Sequence, residues 1–137
     1  MTQLQDHPID IKIQLALMWT SLMFCYIYCD YFDLYTPDKI KEMLELKSML
    51  DSSWKLQAAS VLMTIPCLMI YLSVSLRPEI YRALNMGFGI FYALFLTLIL
   101  FSLDLDWYKF YVLFAVIEVV LAILIVRKAH FWPVIRS

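Results

Sequence analysis

The stretch FYVLFAVIEVVLAILIV, Phe110–Val126, contains one ionisable carboxyl, Glu118, in an otherwise continuous apolar run. A helix rises about 1.5 Å per residue and a hydrocarbon core is about 30 Å thick, so a run of this length matches one crossing. Three more such stretches follow from the same reading: Ile13–Cys29, Leu56–Leu76 and Ala83–Leu103. Of the 11 Lys/Arg and 12 Asp/Glu residues in the chain, only Glu118 lies inside these four. The 137 residues are 63% hydrophobic and 17% charged, with a mean hydropathy of +0.73. Soluble domains are about half apolar and about a quarter charged. The pattern predicts an all-α integral membrane four-helix bundle, up-down-up-down, forming a single transmembrane domain over residues 1–137. Its spans are expected at residues 13–35, 54–76, 83–103 and 110–129. A soluble enzyme and a secreted domain are excluded. The formal net charge of -1 offers no basic surface for nucleic acid.

Local signals divide the chain further. Met1–Asp10 carries Asp6, His7 and Asp10 where a cleavable signal would be basic, so the first span is read as an uncleaved helix. Thr36-Pro37 stops it, because the residue before proline resists helical geometry. Asp38–Leu50 then spaces Ile40, Met43, Leu44 and Leu50 among Lys39, Lys41, Glu42, Glu45 and Lys47, which predicts a short amphipathic helix at the membrane surface. Pro66 interrupts the second span, and the carbonyl it frees needs a donor from Thr64, a neighbouring helix or water. Arg77–Arg82 and Asp104–Lys109 are short enough to make consecutive spans antiparallel neighbours. On the third span, Ala83/Gly87 and Gly89/Ala93 form two small-xxx-small spacings that permit close helix contact, including a homo-oligomeric one.

Six Lys/Arg fall on the side of the chain's two ends and five on the other, where eight acids accompany them. Arg77, Arg82, Arg127 and Lys128 lie against helix ends, which places both termini in the cytosol of an inner or plasma membrane. Trp54, Trp107 and Trp132 fit interfacial anchors; Trp19 lies too deep. Cys25, Cys29 and Cys67 sit in apolar stretches and read as free thiols. His7 and His130 have no partner ligands at metal-binding spacing, so neither a metal nor a cofactor is expected.

Glu118 is the principal candidate. A charged carboxylate in hydrocarbon is unfavourable by several kcal/mol, so it must face the bundle interior, where desolvation favours the neutral acid. Ala115 and Ala122 share its helix face and leave space around it. Matching depths by helical rise brings Tyr26, Thr64 and Tyr92 to its level as hydroxyl donors, with Cys25 and Thr97 close by. Asp30 is the second candidate. With Asp33, Asp104 and Asp106 it forms an acidic mouth suited to a cation or amine. No nucleophile, phosphate-loop or metalloprotease motif is present, so no catalytic residue is assigned.

Trp19, Tyr26-Ile-Tyr-Cys-Asp30, Ile65-Pro66 and Ile117-Glu-Val-Val120 together resemble an uncharacterised bacterial four-helix membrane family, over nearly the whole chain. That family's pattern has an acid just before Ile-Pro; this chain has Thr64, so the resemblance does not extend to a three-acid site. It implies architecture and no activity. Asp30, the 38–50 connection and Pro66 are also placed as in emopamil-binding and sigma-2-receptor-type proteins, whose four helices surround a lipophilic pocket. DoxX-type quinone-linked subunits are a further four-helix class. The leading expectation is a non-enzymatic membrane protein that binds a lipophilic or amine-bearing molecule through Glu118, Asp30, Tyr26, Thr64 and Tyr92, with membrane lipids as its other partners. Alternatives are a transporter or channel using Glu118 as a proton relay, a quinone-linked redox subunit, and a structural subunit.

Overall fold

The computed structural model describes residues 7–102 and 108–133. Five helices follow one another: α1 (Ile11–Asp33), α2 (Lys39–Leu44), α3 (Ser53–Ser75), α4 (Pro78–Ser102) and α5 (Lys109–His130). Among the described residues there is no strand. Four of the helices, α1, α3, α4 and α5, are long and apolar enough to cross a membrane. Their outward faces are apolar: Leu17 is 56% exposed, Leu98 70% and Leu113 61%. Their inward faces hold Asn85, Ser73 and Glu118. Polar groups inside and oily groups outside are what a lipid solvent selects, because between helices in lipid the driving forces are close packing and hydrogen bonds.

Boundaries follow local chemistry. Asp10 caps α1 by accepting from the Lys12 amide at 2.7 Å. The helix stops at Asp33, and the Thr36 hydroxyl closes the turn on the Asp33 carbonyl. α4 begins five residues before the expected span, because Pro78 suits a first helical turn and Glu79 favours its positive end. α2 is shorter than the expected 38–50. It ends at Leu44, since Leu46 adopts a left-handed φ of 54° that no helix continues through, and all six of its residues are at least partly exposed.

The four long helices form a ring in the order α1, α3, α4, α5. α4 packs most extensively on α5, and α1 packs on both α3 and α5. α3 and α4, although joined by a tight link, approach each other closely at few points. Tyrosines cross that gap: Tyr81 donates to the Met69 carbonyl at 3.1 Å, and Tyr92 donates to the Leu62 carbonyl. Leu62 lies four residues before Pro66, so its carbonyl is the one that the missing proline N–H leaves free. Tyr92 therefore repairs the proline break.

α1 and α4 are parallel across the ring and carry buried residues at one spacing, Leu15, Trp19, Leu22 and Tyr26 against Asn85, Gly89, Tyr92 and Leu96. The same shift relates Lys12 to Arg82. Lys12 donates to the Leu76 carbonyl at the end of α3 (2.7 Å), and Arg82 donates to the Ala129 and His130 carbonyls at the end of α5 (2.9 and 3.1 Å). Each cation thus meets the negative end of an antiparallel neighbour.

Candidate functional site

Glu118 projects from α5 into the bundle and is 2% exposed, between the fully packed Ala115 and Ala122. Its Oε1 has no hydrogen-bond partner among the described residues. Across from it, α1 contributes Tyr26, 6% exposed, whose hydroxyl is likewise without a partner, and the buried thiol of Cys29. Tyr26, Cys25, Cys29 and Tyr111 all lie within electrostatic reach of the Glu118 carboxyl, as does Asp30. A buried polar group without a partner is destabilising by about 1–3 kcal/mol, and such groups are few in a packed core.

The five residues singled out from sequence are not equivalent. Glu118 and Tyr26 are both buried and lie within electrostatic reach of each other. Tyr92 lies with its ring tilted against Tyr26 at a centroid distance of 6.3 Å, but its hydroxyl is engaged with Leu62. Thr64 lies at a similar depth on the exposed side of α3, and its hydroxyl donates to the Ser60 carbonyl at 2.8 Å. The Thr97 hydroxyl similarly bonds its own helix, at the Ala93 carbonyl. Asp30 is exposed, one turn beyond Tyr26. Asp33 shares one oxygen with Lys39 in an ion pair of 2.6 Å, while Oδ1 is buried without a partner among the described residues. Burial disfavours the Lys39 ammonium, but the hydrogen bond and charge of Asp33 outweigh this and raise its pKa above the usual lysine value. Acids thus run from the middle of the bundle toward the α1–α2 turn. Asp104, Asp106 and Trp107 lie outside the described residues.

Asn85 was not singled out from sequence. It is fully buried, accepts from the Trp19 indole at 2.8 Å, and donates to the Tyr81 carbonyl at 2.7 Å. The lone amide in an apolar span was the available signal. Trp19 in turn packs edge-on against Tyr92, with centroids 5.9 Å apart. This Asn85–Trp19–Tyr92–Tyr26 column ties α4 to α1 and holds the Tyr26 ring from the α4 side. Asn85→Leu leaves the Trp19 N–H without an acceptor and is expected to destabilise the protein by about 1–3 kcal/mol. Thermal unfolding in detergent measures this, and adding Trp19→Phe should lessen the penalty by removing the stranded donor.

Among the described residues, no three His, Cys, Asp or Glu side chains are grouped to hold a metal. Two surface clefts, of about 800 and 370 Å³, are lined by residues other than Glu118.

A model for a family of unknown function, DUF6326, matches residues 5–135. The chain belongs to this family. DUF6326 carries no assigned activity, which agrees with the resemblance to an uncharacterised four-helix membrane family. No curated protein and no solved structure shows significant similarity to this DUF6326 chain. The emopamil-binding, sigma-2-receptor and DoxX likenesses therefore stay topological analogies.

Proposed function

We propose that this multi-pass membrane protein is a non-enzymatic binder of a lipophilic, amine-bearing molecule, held between α1 and α5 with Glu118 and Tyr26 as its polar anchors. The observation that carries this reading is the pair of buried groups without a partner among the described residues, the Glu118 Oε1 and the Tyr26 hydroxyl. A protonated amine would donate to the carboxylate and supply the charge that hydrocarbon does not. Asp30, exposed one turn beyond Tyr26, gives the approach from the α1–α2 turn a negative potential that attracts such a cation, while the Asp33 charge is balanced by Lys39. The burial of Glu118 weighs against conduction, which requires water at the relay. Both termini are assigned to the cytosol of the cell membrane, a reading supported by Lys12, Arg77, Arg82, Arg127 and Lys128 at the corresponding end of the bundle.

The test uses a radiolabelled lipophilic tertiary amine and the purified full chain in detergent. Glu118→Gln is expected to lower retention about tenfold or more, since a charge-assisted hydrogen bond contributes about 1.5–3 kcal/mol. Asp30→Asn should produce a smaller loss. If both variants remain monodisperse and hold the amine and co-purifying lipid as the parent does, the binding reading fails.

A further inference from the structure

The larger cleft lies at the opposite end of the bundle from the acids, where α1 begins and α5 ends. It encloses about 800 Å³. Its depths are apolar, with Met18 from α1 and Leu124 from α5, and its rim carries Arg127, Lys128, Asp10 and Trp132. Met18 lies seven residues into α1 from Ile11, so the apolar part reaches about 10 Å below the helix start. That is the thickness over which a membrane changes from headgroups to acyl chains.

The two cations on this rim are not needed for the usual task of last-turn cations. Lys and Arg at a helix C-terminus ordinarily serve its carbonyls. In α5 that task falls to Arg82, which donates to both the Ala129 and His130 carbonyls. Among the described residues, neither Arg127 nor Lys128 makes a side-chain hydrogen bond or an ion pair. Asp10 is the acid on the rim; its carboxylate accepts from the Lys12 amide, which leaves its charge in place, so two cations stand against one anion. The cleft therefore presents a net positive mouth above an oily floor, beside a tryptophan of the kind that favours the interface.

We propose that this cleft is a binding site for an anionic glycerophospholipid, distinct from the Glu118 site. The phosphate accepts from Arg127 and Lys128, and the first part of one acyl chain lies along Met18 and Leu124. Arg presents a planar fork to phosphate oxygens and Lys adds a point charge; phosphatidylcholine carries the same phosphodiester but also a quaternary ammonium that these cations repel, so a lipid of net negative charge is favoured. The lipid would clamp the start of α1 to the end of α5, the two helices that also enclose Glu118.

Native mass spectrometry of the full chain in dodecyl maltoside tests the site, using phosphatidylglycerol, phosphatidylcholine with identical chains, and inorganic phosphate. Phosphatidylglycerol adducts should form at about tenfold lower lipid concentration than phosphatidylcholine adducts, and Arg127→Gln/Lys128→Gln should abolish that preference. Arg77→Gln, on the same end of the bundle but outside the cleft, should leave it intact. Leu124→Trp, which fills the apolar floor without touching charge, should weaken adducts as the double variant does. The proposal is overturned if the two lipids bind alike, if Arg77→Gln is as damaging as the double variant, or if inorganic phosphate at equal concentration displaces the lipid.

Discussion

Gly89→Leu is expected to prevent stable association of α4 with α5, whereas Gly87→Leu, half a turn away, leaves the fold intact. A Cβ placed on Gly89 would stand 2.6 Å from the Val126 Cγ2 and 3.5 Å from the Ala122 carbonyl oxygen. Valine has one strongly preferred rotamer on a helix, so its methyl group cannot simply swing aside. A leucine there must push apart the most extensive helix interface of the bundle. Overpacking of this kind is destabilising by about 1–3 kcal/mol, and this position lies at the upper end because a leucine extends well beyond a Cβ that already clashes. At Gly87 an added Cβ meets nothing within 4 Å. Detergent unfolding curves of the two variants separate the cases. Of the two small-residue spacings, Gly89 thus serves contact within the chain, while Ala83 and Gly87 remain exposed and are the pair through which a second copy would pack. Crosslinking of Gly87→Cys in membranes tests that proposed pairing.

The second large effect concerns Tyr92. Tyr92→Phe removes the donor to the Leu62 carbonyl that Pro66 leaves without its helical partner. In a lipid-surrounded bundle this strands a buried acceptor, and a loss of about 1–3 kcal/mol is expected. Pro66→Ala restores an amide hydrogen to the same carbonyl. In that background Tyr92→Phe should be nearly neutral, so a double-mutant cycle measured by unfolding should show strong coupling. Equal effects of Tyr92→Phe in both backgrounds would mean that the hydroxyl and the proline break are independent.

The four crossings were legible because charge is nearly excluded from them, a signal that needs no knowledge of which helix touches which. Helix ends were less so: apolarity marks where lipid is, while α4 extends beyond it through Pro78, Glu79 and Arg82. α2 was over-extended because spacing alone cannot reveal that Leu46 turns left-handed. For the site, helical rise gives depth but not the side of the helix. That is why Thr64 reaches the right level on the exposed side of α3. Glu118 could be located from one line of sequence, since an acid in oil has only the interior to face. Tyr92 could not be assigned to Leu62, because the need created by Pro66 is met from a helix 30 residues away in the chain.

In the proposed binding reading, the Glu118 Oε1 and the Tyr26 hydroxyl, without partners among the described residues, receive one from a bound molecule. A high-resolution structure of the full chain in lipid nanodiscs, saturated with the lipophilic amine used for the binding assay, tests it most directly. Non-protein density is expected, with a polar atom within hydrogen-bond distance of both the Glu118 Oε1 and the Tyr26 hydroxyl. A direct hydrogen bond between those two side chains, with nothing bound against either, would contradict it.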